Sequence, residues 1–310
     1  MATAYAFDSY FVTPEELQEA LRKNPLPSTS TSQRIIPLSA ASFPPDDARK
    51  GIDAFHECRI PSARFFDLDQ AVDKETTLPH MLPSARDFAS AMSALGIRKE
   101  DVLVVYDTYQ LGITSAPRTA WTLRVFGHTK VHVLNNFKLW MENGYLTESG
   151  EPRNITPSKY PVPELDITKV AGFFDVKAAV LKYKQGAAGS QVLDARPYGR
   201  WAGSSPEPRP GLISGHMPGS ISVPLPCLLD PKSKAFLPAD QLRRVFEEKG
   251  VNPALPVIVS CGSGVTAAAI EAAILVSRYI PEDELKVYDG SWLEWAHRVD
   301  PSSGLVERFE

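Results

Sequence analysis

Cysteine is scarce in this chain of 310 residues, which has three, at positions 58, 227 and 261. They stand too far apart for a disulfide framework or a cysteine-based zinc site, and this usage indicates a reducing compartment. The first 13 residues contain Asp8, carry no arginine and have no secretory apolar core. We therefore predict a cytoplasmic location and leave a mitochondrial one open.

Long apolar runs and clusters of basic residues are also lacking. The longest apolar stretch, AAAIEAAILV, is interrupted by Glu271 and is too short to cross a bilayer. Lysine and arginine are scattered along the chain, and the formal net charge is -4. The sequence therefore offers no basic surface, and we predict neither a membrane nor a nucleic acid as partner.

The sequence does contain a long internal repeat. Residues 82–107 match residues 237–261 in position and pattern, at a spacing of about 155 residues. The segment that ends at Trp140 matches the segment that ends at Trp295. A length of 310 residues with 43% apolar and 23% charged residues suits two globular domains. The chain therefore contains two copies of one domain.

A proline-rich segment separates the two copies. Residues 148–166 carry four prolines and few apolar residues, which is typical of a stiff, extended connector. We place the boundary near Pro157, which gives an amino-terminal domain over 1–156 and a carboxy-terminal domain over 157–310. A second irregular stretch, KNPLPSTSTSQ at residues 23–33, is predicted to form a surface loop.

Within each copy, short β-branched runs alternate with helical patterns, which predicts βα units on a mainly parallel sheet flanked by helices. VLVVY and PVIVS are unbroken apolar runs of strand length, as expected for strands covered on both faces. Thr13, Pro14 and Glu16 form a capping box with proline at the first helical position. The predicted fold class is α/β, in tandem.

One cysteine stands where ligands bind in open α/β sheets. The strand PVIVS ends at Cys261 and a helical run follows, so that backbone N–H groups at a helix N-terminus surround the thiol. Gly262 and Gly264 let the loop curl with its amides facing inward. Amides and helix dipole favour the thiolate, which predicts a strong nucleophile. For a cysteine without flanking glycines, the alternative of a small buried residue would be favoured.

These residues carry a family resemblance. The loop CGSGVTA at 261–267, the tandem duplication, HMPGS at 216–220 and YDGSWLEW at 288–295 together resemble the rhodanese superfamily over nearly the whole chain. The loop CGSGVT is similar to that of the 3-mercaptopyruvate sulfurtransferases, whereas thiosulfate sulfurtransferases typically carry a basic pair after the cysteine. Phosphatase relatives need an arginine where this chain has Ala267, so phosphatase chemistry is disfavoured.

The resemblance implies two tandem rhodanese-like domains with unequal roles. Asp107 occupies the position of Cys261 in the first copy, and Ser39 occupies that of Asp194. A carboxylate at the first of these positions cannot hold a persulfide. The amino-terminal domain is therefore expected to be a non-catalytic copy, and the carboxy-terminal domain the catalytic one.

The resemblance also implies which residues bind substrate. Arg200 and Arg209 match the positions that hold a keto acid, a task that suits the planar guanidinium. Without the resemblance, both would be read as surface arginines of a proline-rich loop. The remaining expected contacts come from the loop after the cysteine: Gly262, Gly264, Val265 and Thr266.

A proton relay is implied as well. Asp69 and His80 of the first copy match family segments that polarise a serine, which here is Ser263. The relay would manage the proton given to a departing enolate, which is general acid–base work suited to histidine. The structural alternative is that Asp69 caps a turn and His80 packs against Met81.

Three further expectations concern side chains close to this loop. We expect Thr266 chiefly to cap the helix that follows it. Arg196 is a weaker binding candidate, and its alternative role is to pair with Asp194. Trp292 and Trp295 lie three residues apart on one helix face, which indicates packing rather than ligand stacking.

The implied activity is a ping-pong sulfur transfer. Cys261 takes sulfur from 3-mercaptopyruvate, pyruvate leaves, and the outer sulfur passes to a small thiol, a thioredoxin-like protein or cyanide. No metal or organic cofactor is implied, because the cysteine carries the chemistry and no ligand cluster is present. Cys58 and Cys227, outside glycine-rich turns, are predicted to be passive.

Two alternatives stay open. One is a thiosulfate-preferring enzyme of the same superfamily. The other is a persulfide carrier that delivers sulfur to a partner protein, a role that needs Cys261 but not Arg200 and Arg209. A catalytically dead interaction module is disfavoured by the intact cysteine.

Overall fold

The computed structural model describes residues 7–23 and 34–309, which form two compact units. The amino-terminal unit comprises residues 1–74, 82–165 and 232–235, and the carboxy-terminal unit comprises 75–81, 166–231 and 236–310. This division falls after Leu165, and the domain boundary near Pro157 stays a prediction. The surface loop predicted at 23–33 lies, after Lys23, outside the described residues.

The amino-terminal unit holds a five-stranded parallel sheet in the order β1-β5-β4-β2-β3. Its elements in chain order are β1 (Phe11–Val12), α1 (Pro14–Lys23), β2 (Ile35–Ser39), α2 (Gly51–Glu57), β3 (Arg64–Phe65), α3 (Ala85–Ala94), β4 (Val102–Tyr106), α4 (Ala116–Val125), β5 (Val131–Leu134) and α5 (Phe137–Glu142).

The carboxy-terminal unit repeats this order as β6-β10-β9-β7-β8, again with parallel pairing. Its elements are β6 (Val170–Ala171), α6 (Phe173–Lys184), β7 (Gln191–Asp194), α7 (Tyr198–Ala202), β8 (Ile221–Ser222), α8 (Ala239–Glu248), β9 (Val257–Ser260), α9 (Ala267–Ser277), β10 (Leu285–Tyr288) and α10 (Ser291–Arg298). Single 3₁₀ turns lie at Ile167–Lys169, Leu225–Leu228, Glu282–Glu284 and Pro301–Ser303.

The two sheets agree in register as well as in strand order. Ser39 of β2 pairs with Tyr106 of β4, and Asp194 of β7 pairs with Ser260 of β9. The residues that directly follow the central strands, at positions 107 and 261, are therefore equivalent. The predicted fold class, two tandem α/β domains with mainly parallel sheets flanked by helices, is confirmed.

Apolar strands and capped helices explain why these elements form. All five residues of β4 and all four residues of β9 are buried, as expected for strands covered on both faces. At the start of α1, the Glu16 N–H donates to Thr13 Oγ1 at 3.2 Å, and the Thr13 N–H donates to Glu16 Oε2 at 2.8 Å. The predicted capping box is thus confirmed.

The connector has no helix or strand over residues 152–166, but one of its residues enters the amino-terminal core. Tyr160 is buried and packs edge-on against Phe88, with ring centroids 5.8 Å apart. Its N–H donates to Ser93 Oγ at 3.0 Å. The connector therefore lacks regular secondary structure, yet Tyr160 adds to the amino-terminal core.

Within residues 7–23 and 34–309, no helix has both the length and the apolar character that crossing a bilayer requires.

His128 anchors Tyr160 and is held in its neutral form. The His128 ring lies 2.9 Å through Nε2 from the Asp101 carbonyl oxygen and 2.8 Å through Nδ1 from the Tyr160 hydroxyl. A neutral ring satisfies both contacts, with Nε2 as donor and Nδ1 as acceptor. Burial, as the largest cause, lowers the pKa of His128 from 6.5 to about 4.

We predict that this histidine makes the protein less stable in mild acid. Below pH 6.5 His128 binds a proton in the unfolded chain, whereas in the folded protein it stays neutral down to its pKa of about 4. The free energy of unfolding therefore falls as the pH is lowered from 6.5 to about 4. The contribution is about 3 kcal/mol over the full interval. Urea unfolding at several pH values should show a flatter dependence for His128→Gln than for the natural chain. Equal slopes would contradict the assignment.

Candidate functional site

Cys261 directly follows β9, at the carboxyl end of the central strand of the carboxy-terminal sheet. The residue is 2% exposed. Its backbone N–H donates to Ser291 Oγ at 3.1 Å, and Ser291 Oγ donates onward to the Tyr288 carbonyl oxygen at 2.9 Å. Ser291 was not singled out from the sequence, although the turn after β10 that contains it was part of the family motif. It ties the cysteine backbone to the neighbouring strand.

The first turn of α10 sets the direction of the loop. The Cys261 carbonyl oxygen accepts from the Trp292 N–H at 3.0 Å, and the Gly262 carbonyl oxygen accepts from the Leu293 N–H at 3.0 Å. In a trans peptide the N–H points opposite to the C=O, so the N–H groups of Gly262 and Ser263 point away from α10. Neither group donates a hydrogen bond to another described residue.

The remaining loop residues complete the turn into α9. Gly264 has φ +78°, a left-handed conformation that glycine adopts without strain. The Val265 carbonyl oxygen accepts from Ala268, and Thr266 directly precedes α9. The Thr266 side chain makes no capping hydrogen bond, so that expectation is wrong. Its backbone, with φ -74° and ψ -13°, is already helical, whereas side-chain caps need extended backbone.

Arg200, in α7, lies against this loop. A Cβ placed on Gly262 would stand 3.1 Å from Arg200 Nη2, so the guanidinium reaches the loop backbone. Arg209 is half-buried, and burial followed by the nearby charge of Arg200 lowers its pKa. The charge of Glu207, and that of Cys261 when it is a thiolate, oppose that effect. Two cations and the sulfur thus lie within electrostatic range of one another.

Glu207 was missed by the sequence reasoning, and it holds Arg200 in place. Its carboxylate is buried, and Oε2 accepts hydrogen bonds from Arg200 Nε at 3.0 Å and Arg200 Nη2 at 2.5 Å. The other oxygen accepts from Arg196 Nη1 at 2.7 Å. The only sequence signal was its place two residues before Arg209, which does not distinguish it from other acidic loop residues.

Arg196 continues this network into the core. Its Nη2 donates to Asp194 Oδ2 and to the Gly215 carbonyl oxygen, each at 2.7 Å, so the expected pairing with Asp194 is confirmed. Its guanidinium lies 4.2 Å from the centre of the Trp292 ring. Trp292 and Trp295 are fully buried, which confirms that they pack. Asp194, Arg196, Glu207 and Arg200 therefore form a chain of alternating charges that ends beside the loop.

His80 lies beside the loop, and the structure groups it with the carboxy-terminal unit. His80 Nδ1 is 3.2 Å from Ser263 Oγ, which is hydrogen-bond distance. His80 has φ +61°, a conformation that non-glycine residues rarely adopt. Asp69 belongs to the amino-terminal unit, and its N–H donates to Asp67 Oδ1 at 3.0 Å. The place of Asp69 in a relay stays a prediction.

The other thiols differ from Cys261. Cys58 lies 3.5 Å from the Met141 sulfur, and burial raises the pKa of its thiol, which reduces the thiolate that could react. Cys227 is partly buried in the 3₁₀ turn at Leu225–Leu228. The passive role of both stays a prediction.

In the amino-terminal unit, the Asp107 carboxylate takes up backbone donors at the start of the helix that follows the central strand. The backbone N–H groups of Thr114, Ser115 and Ala116, at the start of α4, donate to Asp107 at 2.9 to 3.0 Å. The Ser115 hydroxyl lies 2.5 Å from Asp107 Oδ1. These N–H groups at the start of α4 are therefore occupied by a residue of the chain itself.

Comparison with known proteins supplies independent information on the family of this chain. The sequence profile of the Rhodanese family, described as a Rhodanese-like domain, matches residues 177–298. The chain is 38% identical over 277 residues to a probable 3-mercaptopyruvate sulfurtransferase of Schizosaccharomyces pombe, a match that covers 89% of this chain and 91% of the relative. It is 37% identical over 279 residues to thiosulfate sulfurtransferase TUM1 of Saccharomyces cerevisiae, which covers 86% and 90%.

Solved structures of sulfur transferases also match this chain in fold. The crystal structure of Tum1 from Saccharomyces cerevisiae matches with a TM-score of 0.84 at 32% identity, covering 98% of both chains. A yeast sulfur transferase described as a sub-stoichiometric subunit of mitochondrial complex I, solved by cryo-EM, matches with a TM-score of 0.82 at 33% identity, covering 97% of this chain and 99% of that one.

We predict that Asp107 stabilises the amino-terminal unit. Asp107→Ala should lower the free energy of unfolding by about 3 kcal/mol, because several buried donors lose their acceptor. Asp107→Asn keeps one acceptor oxygen and should cost less. Urea unfolding measures both, with Asp240→Ala, whose side chain is 65% exposed, as the control. An Asp107→Ala variant as stable as this control would contradict the assignment.

We predict that Glu207 stabilises the carboxy-terminal unit against unfolding. Glu207→Gln preserves shape but removes the charge shared by Arg196 and Arg200, so we expect a loss of about 3 kcal/mol in urea unfolding. Asp240→Asn is the matched control. A Glu207→Gln protein with natural stability would show that the two arginines do not depend on this carboxylate.

Proposed function

The chain belongs to the rhodanese family of sulfurtransferases, and from this we propose that it moves sulfur from 3-mercaptopyruvate through a Cys261 persulfide to a thiol or cyanide, releasing pyruvate. One observation carries the proposal. Cys261 ends a central strand in a loop whose N–H groups point away from α10, and the Arg200 guanidinium lies against the same loop. The relative named as a probable 3-mercaptopyruvate sulfurtransferase supports this choice of donor.

The first half-reaction forms the persulfide. The Cys261 thiolate attacks the donor sulfur, and the carbon–sulfur bond breaks with its electron pair moving to carbon, which leaves the enolate of pyruvate. The N–H groups of Gly262 and Ser263 favour negative charge first on the thiolate and then on the outer sulfur of the persulfide. Val265 and Thr266 would line the turn around the bound group.

Arg200 and Arg209 would bind the carboxylate and the keto oxygen of the keto acid. Guanidinium groups suit planar carboxylates, because they donate parallel hydrogen bonds. Glu207 divides its single charge between Arg196 and Arg200, so the pair of substrate arginines keeps a net positive charge. This arrangement would attract an anionic donor and hold Arg200 still at the same time.

The enolate needs a proton before pyruvate leaves. Ser263 is the candidate donor, because its hydroxyl lies 3.2 Å from His80 Nδ1. His80 would supply the proton to Ser263, and Asp69 would orient His80. The unusual backbone conformation of His80 supports a functional role, because strained residues cluster at active sites.

The second half-reaction returns Cys261 to its starting state. A small thiol, a thioredoxin-like protein or cyanide attacks the outer sulfur, and the Cys261 thiolate leaves. We propose that residues 157–310 form the catalytic domain and residues 1–156 a non-catalytic copy, because Asp107 has no sulfur to exchange. A cytoplasmic or mitochondrial location belongs to the same proposal, and a similar yeast protein is described with mitochondrial complex I.

Thiosulfate is the second candidate donor, favoured by the relative named thiosulfate sulfurtransferase TUM1. A dianionic donor would gain from additional positive charge in the loop. Gly262 and Ser263 follow the cysteine here and supply none. Mercaptopyruvate is therefore the preferred donor.

Mass spectrometry of the reduced protein after incubation with 3-mercaptopyruvate should show one added sulfur on the Cys261 peptide. Sulfur loading of Cys261 should be faster from 3-mercaptopyruvate, which releases pyruvate, than from thiosulfate, which releases sulfite. Cys261→Ser should abolish sulfur loading from both donors. An active protein whose Cys261 peptide gains no sulfur would refute the mechanism.

Removal of Arg200 and Arg209 distinguishes a 3-mercaptopyruvate enzyme from a persulfide carrier. The double variant Arg200→Ala with Arg209→Ala should reduce kcat/KM for 3-mercaptopyruvate about a hundredfold or more, because two charge-assisted contacts are lost. Arg244→Ala, whose side chain is 71% exposed, is the matched control. Unchanged activity in the double variant would favour the carrier.

A further inference from the structure

A pocket lies in the amino-terminal unit, at the opposite end of its sheet from Asp107. Arg34 precedes β2 and Arg64 begins β3, so the pocket opens at the amino ends of these strands. It has a volume of about 900 Å³, including its solvent-facing space. Part of its wall is the connector backbone from Pro152 to Thr156.

Positive charge dominates the wall of this pocket. Four arginines and one carboxylate line it: Arg34, Arg59, Arg64, Arg153 and Glu148. Arg34 is neutralised by Asp101, which it contacts at 2.8 Å through Nε and 2.5 Å through Nη2. Three guanidinium groups then remain for Glu148. Glu148 lies 3.7 Å from Arg59 and 3.9 Å from Arg153, beyond hydrogen-bond distance in both cases.

Arg64 has no carboxylate within ion-pair distance among the described residues. Its Nη1 donates to the Leu95 carbonyl oxygen, which satisfies one donor but supplies no full charge. Burial, followed by the charge of Arg34, lowers the pKa of Arg64 to about 10. Asp101, which pairs with Arg34, opposes part of this effect. A partly buried cation with no carboxylate of its own is still destabilised by burial, and a bound anion would relieve this.

Arg59 adds an unused donor. The residue is 3% exposed, and its terminal nitrogens donate to backbone carbonyl oxygens, including that of Gly150 at 2.6 Å. Its Nε is buried and makes no hydrogen bond within the described part of the chain. Such orphaned donors are rare in folded proteins and call for a partner.

We propose that this pocket binds a small oxyanion carrying two or more negative charges, such as a phosphorylated or polycarboxylate metabolite. Arg59, Arg64 and Arg153 would supply the guanidinium groups, which suit phosphate and carboxylate oxygens. Because Arg59 also holds the carbonyl oxygen of Gly150, a bound anion would tie the connector to the sheet.

Calorimetric titration of the full chain tests this site, with inorganic pyrophosphate as the phosphate probe and citrate as the carboxylate probe. We expect one-to-one binding of at least one probe, weakening as salt is raised. The tighter probe identifies the class of oxyanion. No one-to-one binding of either probe would overturn the proposal.

Variants locate the binding. Arg153→Gln should weaken affinity about tenfold, and its side chain is 79% exposed, so the fold should tolerate the change. Arg64→Gln should weaken affinity at least as much. Arg244→Gln should have no effect. Binding that persists in Arg153→Gln and is lost in the Arg200→Ala, Arg209→Ala variant would assign the anion to the substrate arginines and overturn the proposal.

Discussion

Two hydrogen bonds from the first turn of α10 determine how the loop after β9 works. They hold the carbonyl oxygens of Cys261 and Gly262 on one side, and planar peptide groups then direct the following N–H groups to the other. The loop therefore meets a negative charge with donors rather than acceptors. α10 supplies no reacting group, yet its first turn orients the amides of Cys261, Gly262 and Ser263.

In both units, backbone N–H groups lie in the segment between the central strand and the next helix. The two units differ in whether these N–H groups have an acceptor within the chain. In the amino-terminal unit the Asp107 carboxylate accepts the hydrogen bonds permanently, so the anion is part of the chain. In the carboxy-terminal unit the Gly262 and Ser263 N–H groups, which follow Cys261, donate to no other described residue. The two units therefore differ in what faces the backbone donors after the central strand: a carboxylate in one and a thiol in the other.

The sequence was sufficient for the tandem α/β fold, because the repeat fixes the architecture and strand ends can be read from apolar runs. It also pointed to Cys261, Arg200, Ser263 and His80, which the structure brings close to one loop. Glu207 and Ser291 could not be found in this way, because their roles arise from hydrogen bonds to residues distant in the chain or across a turn. The Thr266 cap failed because backbone torsion angles are invisible in a residue type.

The charge network that ends at Arg200 begins in the core, at Asp194 and Arg196. At the corresponding positions of the first copy stand Ser39 and Ala41, neither of which carries charge. A cysteine introduced at position 107 would therefore supply a thiol without the Asp194–Arg196 pair that begins the charge network of the other unit. At least three replacements, at positions 39, 41 and 107, would be needed to give the amino-terminal unit the same residues, so no single substitution converts one unit into the other.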